Sequence, residues 1–515
     1  MQWALAYLAG AWFVMQLVDV LGGRWGVSNA MARVIDMVLV LGLLVTLVLA
    51  WYHGEKGRQR VSGAELLVIA SLLAVGAVGL AFLNGGARTD ETTIAEATTP
   101  VPAGSTDEAP WIAVLPFETQ TDDPDLANFA DGLTEDIISG LSAFTYFLIL
   151  SRNATEHVVG GVEDIREISS QLGASYVMQG NLREAGQMVR LTVQLVDGQT
   201  GAQVWADSFD RDLSASAVLA LQDEITDTIV ATVADPYGIV ARTLAAPTAD
   251  KPTQALTPYE AVLRWIIYQQ RISPKDHEIT RDALERAVEL NPNYTDARAC
   301  LANMYLQEYM HGFNQKPGAL DRALKAAQRA VNEDPASGLA NYSLAQVYYF
   351  RQDLGAFRAA AERTLELNPR DSNAMAMLGI LMGYGGDWDR SVELTTSAMN
   401  LNPHHPGWYR FNIFFNEYRQ GNYTKALEIA QRINMPEYWA DPLAQTLAHA
   451  ELGNATKAET AARNLLAVWP DFEVSYYKHG LDNWIFAQPE LVQKIDGSLR
   501  KAGLNPVNAT NDLSD

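Results

Sequence analysis

Apolar and polar residues alternate with three different rhythms along this chain. Near the amino terminus apolar residues run almost unbroken through three stretches, 3–21, 34–52 and 66–83. A helix needs about 20 such residues to cross roughly 30 Å of hydrocarbon. The second stretch, VIDMVLVLGLLVTLVLAWY, meets that length and ends in Trp51 and Tyr52, the aromatics of a membrane interface. The third is close behind. In the first, Gln16 and Asp19 interrupt the run and share one helical face. That segment either spans with this face against its neighbours or lies in the interface. The loop HGEKGRQRVSG carries Lys56, Arg58 and Arg60. The positive-inside rule places this loop in the cytoplasm and the chain beyond the third stretch outside it. The expectation is a membrane anchor of two to three helices over 1–84. Its home is an inner (cytoplasmic) membrane, with the soluble part periplasmic. Residues 85–110, rich in Thr, Ala, Pro and acids, read as a disordered tether with a span on the order of 28 Å.

From residue 111 the period shortens to two. In MVRLTVQLVD, Val189, Leu191, Val193 and Leu195 share one face and Arg190, Thr192 and Gln194 the other. IAVLPF, FLILSR, SYVMQG and AQVWADSF read as further strands, and GQTG as a hairpin connection. Helical spacing marks 128–143, 162–173 and 218–234. The order β-α-β-α-β-β-β-α predicts an α+β (α/β sandwich) domain over 111–240. Within it, FADGLTEDIISGLS brings Asp131, Glu135 and Asp136 close together. Thr134 stands where an N-cap belongs, Gly132 lets the chain turn, and acids in a first turn complement the helix dipole. The carboxylates are therefore expected to open a helix rather than hold a metal or catalyse.

Beyond a linker at 241–256 the period lengthens again. Prolines 292, 335, 369, 403, 436 and 470 stand 43, 34, 34, 33 and 34 residues apart, and 34 is the tetratricopeptide period. The long interval holds HGFNQKPGA, an insertion between helices. Leu301-Ala302 with Tyr305, Leu344-Ala345 with Tyr348, and Leu378-Gly379 with Met382 recur in first helices, their small residues allowing close packing. About six repeats over 257–504 predict an all-α solenoid, closed by a capping helix near 491–504 and followed by a disordered tail at 505–515. Projection of the repeat puts Asn303, Gln307, Tyr342, Gln346, Tyr349, Tyr384, Trp408, Phe415, Tyr418 and Arg419 on the concave surface. Such a groove takes an extended peptide or a partner helix on aromatic anchors. A basic clamp for a terminal carboxylate is not evident.

Charge narrows the partners. With 38 basic against 61 acidic residues the net charge is −23, which repels phosphate backbones, so nucleic acid is not an expected partner. The single Cys300 excludes a disulfide framework and a cysteine-based zinc site. No phosphate loop, dinucleotide fingerprint, nucleophile elbow or His-Glu-x-x-His run occurs. His404 and His405 sit side by side in a turn, and the other histidines are scattered. No catalytic residue, cofactor or metal site is predicted.

The stretches IAVLPFETQTDDPDLANFADGLTEDIISGLS, IREISSQLGASYVMQGNLREAGQMVRLTVQLVDGQTGAQVWADSFDRDL and ALQDEIT resemble the TolB-like amino-terminal domain over 111–234. The resemblance implies a place after a membrane anchor and before tetratricopeptide repeats, as in the carboxyl half of bacterial class III adenylate cyclases and membrane-anchored winged-helix regulators. Residues 1–30 hold neither of those output domains. The abrupt start MQWALAY also leaves room for a start further upstream. The functional expectation is a non-enzymatic, membrane-anchored adaptor or sensor for an envelope protein or peptide. A structural scaffold for envelope assembly and an enzyme with a cryptic site in the TolB-like domain are the alternatives.

Overall fold

The computed structural model describes residues 109–120, 123–159, 164–185, 188–212, 218–270, 272–473 and 481–505. The three apolar amino-terminal stretches, the tether and residues 506–515 lie outside them. Among the described residues one helical run, Val218–Thr248, is long and apolar enough to cross a membrane by length and composition. Its Ile225, Ile229, Val230 and Val233 are buried in a protein core, so packing accounts for its composition.

The first part is a mixed six-stranded sheet. β1 (Trp111–Val114), β2 (Glu118–Thr119), β3 (Leu148–Ile149), β4 (Tyr176–Ala185), β5 (Met188–Asp197) and β6 (Gln203–Asp212) take the order β3-β1-β4-β5-β6, with β2 paired to β4. The pairs of β1 with β3 and β4 and of β2 with β4 are parallel, and β4-β5 and β5-β6 are antiparallel. The β5 alternation holds: Val189, Leu191, Val193 and Leu195 are buried. At the β5-β6 turn Asp197 Oδ1 accepts from the Gln199 and Thr200 amides, and Gly201 takes φ +71°, where a glycine is favoured. Helices α1 (Pro124–Ser142) and α4 (Val218–Ala234) share a core with one face of the sheet. On the other face Ile168 and Leu172 of α3 (Ile165–Leu172), with Val158 of α2 (Arg152–Val159) beside them, pack on Ala113, Leu115 and Val177.

The acidic stretch corrects the sequence reading. Helix α1 begins about ten residues before Thr134, with Pro124 in its first turn and Asp123 as N-cap, accepting from the Asp125 amide. Thr134 is buried in mid-helix. Its hydroxyl donates to Ala130 O at 2.9 Å and accepts from Phe117 N at 3.1 Å, tying the helix to the residue that leads into β2. Asp131 pairs with Arg152 at 2.8 Å, Glu135 lies 4.0 Å from the same guanidinium, and Asp136 accepts from Gln222 of α4. A Cβ at Gly132 would fall 2.6 Å from Gln222 Nε2, so that glycine makes room for a neighbouring helix rather than turning the chain. These carboxylates fasten α1 to its surroundings.

The stretch expected to be a linker is folded. It contains α5 (Ile239–Ala245) and two short 3-10 turns, and Val240, Ala241, Ala245 and Leu256 are buried. Six helix pairs follow: α6 (Pro258–Gln270) with α7 (Pro274–Leu290), α8 (Thr295–His311) with α9 (Ala319–Glu333), and α10 (Gly338–Phe350) with α11 (Leu354–Leu367). The other three are α12 (Ser372–Tyr384) with α13 (Trp388–Leu401), α14 (Arg410–Gln420) with α15 (Tyr423–Ile433), and α16 (Ala440–Glu451) with α17 (Ala455–Val468). A one-turn helix α18 (Leu481–Trp484) and α19 (Pro489–Lys501) close the array. Each pair packs through small residues. A Cβ on Gly383 would lie 2.4 Å from Ser391 Oγ and 3.0 Å from the Trp388 ring. Gly383→Ala is therefore expected to lower stability by about 1–3 kcal/mol through overpacking. A thermal midpoint equal to or above that of the parent would contradict this.

Sheet and solenoid are not separate bodies. Ile229, Val230 and Val233 of α4 belong to the same apolar cluster as Tyr259, Leu263 and Trp265 of α6 and Cys300 and Met304 of α8. Polar contacts cross the same boundary: Arg370 to Asp227 at 2.7 Å, Tyr259 OH to Tyr146 O at 2.9 Å, and Ser372 Oγ to Asp235 at 2.5 Å. Asp235 is fully buried. Burial, and secondarily the nearby Asp371 carboxylate, push its pKa up to about 7, while burial brings Asp371 to about 6.

A cavity on the inner helices

The first helices of successive repeats present residues at i, i+4 and i+7 to one side, the stripe a helix offers its interior. On α8 the stripe is Asn303, Gln307 and Met310. On α10 it is Tyr342 and Gln346, on α12 Asn373, Met377, Ile380 and Tyr384, and on α14 Phe411 and Phe415. These side chains surround a cavity of about 760 Å³, within the 300–1,000 Å³ of a typical ligand site. Inter-repeat turns complete it with Trp408 and with Met435 to Trp439. Tyr237, just after α4, and Trp484 of α18 contribute from outside the repeats.

Of the ten residues projected onto the concave face, Asn303, Gln307, Tyr342, Gln346, Tyr384, Trp408 and Phe415 line this cavity. Tyr349, Tyr418 and Arg419 do not, because the carboxyl-terminal segment folds back over the inner helices. The Tyr349 hydroxyl donates to the Trp484 carbonyl, and its ring lies 5.2 Å from Phe486. Trp484 meets Phe350 edge-on at 5.1 Å. Gln488 joins Gly383 O at 3.0 Å and Trp388 Nε1 at 3.3 Å. Tyr418 is covered by α19, where Ser498 Oγ is 2.6 Å from its hydroxyl, and Arg419 stacks on Trp388 at 4.7 Å. Repeat periodicity could have supplied Asn373, Met377, Ile380 and Phe411, which stand at equivalent positions. Tyr237, Tyr438, Trp439 and Trp484 come from irregular segments with no such signal.

Inside the cavity, Asn303 Oδ1 accepts from Trp265 Nε1 and Gln269 Nε2, both at 3.1 Å. Gln307 Oε1 and Gln346 Nε2 are buried without a hydrogen-bond partner. Burial raises the phenols of Tyr237, Tyr342 and Tyr384, and that of Tyr438 to about 12, so all four are neutral. Asp276, Glu437 and His311 are the other ionisable residues in the lining; among the described residues no lysine or arginine joins them. Among the described residues no group of three or more His, Cys, Asp or Glu is placed to hold a metal ion.

Residues 108–228, the sheet region, match a domain family described as HilA/YgeH-like transcriptional regulator, second domain. Over 240 residues the chain is 33% identical to a protein of Rhizobium meliloti (strain 1021) named putative adenylate cyclase 3. That alignment takes in 46% of this chain and 40% of the relative, so the chain spans less than half the length of the curated relative it matches. Among solved structures it is similar to YrrB, described as a TPR protein with an unusual peptide-binding site. The identity is 19% and the TM-score 0.27, over 37% of this chain and 94% of that one. It is also similar to PilF of Pseudomonas aeruginosa, at 16% identity and TM-score 0.31, over 43% and 93% of the two chains. Likeness at these scores has no bearing on what the cavity holds.

Proposed function

We propose that this chain is a membrane-anchored, non-enzymatic adaptor or sensor whose cavity receives an extended peptide segment of an envelope protein. The observation that carries this reading is the continuous inner stripe, in which four successive first helices place six of the projected residues, joined by Trp408 from an inter-repeat turn, around one aromatic-walled cavity. Extended peptides suit such a surface, because repeating helices present repeating contacts along one direction. In this reading the amino-terminal spans hold the protein in the cytoplasmic membrane and the sheet region is a TolB-like domain facing the periplasm. The alignment with part of a protein named as an adenylate cyclase supports a place in signalling, with occupancy relayed to an output domain on another chain or upstream.

Photo-crosslinking in living cells, from Tyr384 and Trp408, tests this. The expected result is one reproducible envelope protein, lost when Phe415 and Tyr342 become alanine. Tyr349 is unsuitable as a probe position, being covered by Trp484 and Phe486. A folded, membrane-inserted protein that captures nothing from either position would overturn the adaptor reading. Exchange of the spans for an unrelated anchor separates the signalling adaptor, which then loses function, from a structural scaffold, which keeps it.

A further inference from the structure

We infer that the peptide accepted by this cavity carries a cationic side chain, lysine or arginine, which the aromatic wall and the two acids receive while Gln307 and Gln346 hold the adjoining peptide group. This rests on the proposed peptide-binding role and gives the peptide a chemical class.

Three observations converge. The lining carboxylates, Asp276 and Glu437, face no lysine or arginine across the cavity among the described residues. Asp276 accepts from Ser273 Oγ at 2.7 Å, whereas Glu437 is exposed and set beside Tyr438 and Trp439. The wall is built of neutral phenols and indoles, Tyr237, Tyr342, Tyr384 and Trp408 among them. Their π faces attract an ammonium or guanidinium and offer nothing to a carboxylate. Finally, Gln307 and Gln346 are 4% and 2% exposed, both line the cavity, and an acceptor on one and a donor on the other have no partner. A peptide group brings one N–H and one C=O and satisfies such a pair with the amides as placed or with both reversed.

The chain's own carboxyl-terminal segment shows the same inner face binding main chain. One turn along α10 from Gln346, the Tyr349 hydroxyl donates to the carbonyl of Trp484, whose ring lies against Phe350 and 6.4 Å from His311. Peptide carbonyl plus large side chain is thus a combination this surface already accommodates.

The test uses the full chain in lipid nanodiscs and fluorescence anisotropy of labelled heptapeptides. These are alike except for a central lysine, arginine, norleucine or glutamate, with n-butylamine as a free cation in competition. Lysine and arginine peptides are expected to bind about tenfold more tightly than the norleucine peptide, and the glutamate peptide more weakly still. Raising NaCl from low to high concentration should narrow the gap. Glu437→Gln, at an exposed position, should narrow it several-fold. Gln346→Leu should weaken lysine and norleucine peptides by the same factor, since it removes a main-chain contact. Equal affinity for lysine, norleucine and glutamate peptides would overturn the cation inference and leave the peptide reading intact. Butylamine displacing the lysine peptide at equal concentration would make the cavity a site for free organic cations and overturn the peptide component. No binding of any peptide by folded protein would overturn both.

Discussion

Glu308→Ala is expected to cost about 3–5 kcal/mol of stability, the range for removing one partner of a buried ion pair. Glu308 is fully buried near the carboxyl end of α8. Its carboxylate meets Arg281 at 3.3 Å and Arg322 at 2.5 Å and accepts from the Lys316 amide at 3.1 Å. Arg281, whose side chain is 4% exposed, would keep Asp282 at 3.1 Å and Asn314 O at 3.0 Å but lose its buried counter-charge. The insertion HGFNQKPGA is held to the array by the same carboxylate, so the substitution should also free that loop. Glu308→Gln, which keeps the shape and part of the hydrogen bonding, should cost less. Urea denaturation followed by circular dichroism measures both; a loss below about 1 kcal/mol for the alanine variant would show the cluster to be a surface-like pair.

The protein should also lose stability as pH rises from about 5 to 8, and Asp235→Asn should remove much of that loss. In the unfolded chain an aspartate ionises near pH 4. In the fold Asp235 ionises near 7 and Asp371 near 6. Between those values the native state retains protons that the unfolded chain has released. The stabilisation is therefore complete below about pH 4 and declines as pH climbs through 6 and 7. A rise on Asp235 from near 4 to about 7 corresponds to on the order of 4 kcal/mol. Asp371 keeps some exposure, so the larger share rests with Asp235. Ordinary paired carboxylates act in the opposite direction, and the informative quantity is the difference between parent and variant. In the variant the amide oxygen accepts from the Tyr237 amide, 2.8 Å from Asp235 Oδ1 in the parent, while the amide nitrogen donates to Ser372 Oγ, 2.5 Å from Oδ2, whose own proton can turn to the Tyr409 hydroxyl at 3.1 Å. Urea midpoints of both proteins at pH 5, 6, 7 and 8 should diverge with rising pH, the variant becoming relatively more stable. Parallel curves would refute the assignment.

Periodic features of the sequence translated directly into structure. The alternation along β5 reports a face that must be buried, and the recurring prolines, each two or three residues past a second helix, report where that helix must stop. The inner stripe followed from the same repeat for Asn303, Gln307, Tyr342, Gln346 and Tyr384. Features that depend on distant residues did not. Thr134 has the chemistry of a cap and stands before apolar residues at helical spacing, yet Pro124 and Asp123 start the helix earlier. The hydroxyl then serves Phe117, just before β2 and 17 residues away. Residues 241–256 are rich in Ala, Pro and Thr, as linkers are, but a neighbouring core covers Val240, Ala241 and Leu256. Tyr349 and Tyr418 sit at concave positions of their repeats and are buried by residues 76 to 135 positions later in the chain, which no local pattern announces.

The return of the carboxyl-terminal segment changes the mechanics of the array. An open stack of repeats behaves as a spring: each unit touches its neighbours, the ends fray, and the pitch stretches at little cost. Here Trp484, Gln488 and Lys494 clasp α10, α12 and α14 from within, Lys494 Nζ donating to Tyr418 O at 2.9 Å, so three successive repeats are strapped together along their inner face. The spring is braced. A braced array does not lengthen under load without first releasing the clasp, and a contact spanning 135 residues forms late in folding because so much chain must be gathered before it closes. A protein cut before Trp484 would keep its repeats but regain the compliance of a spring, and the width of the cavity would then vary with its surroundings.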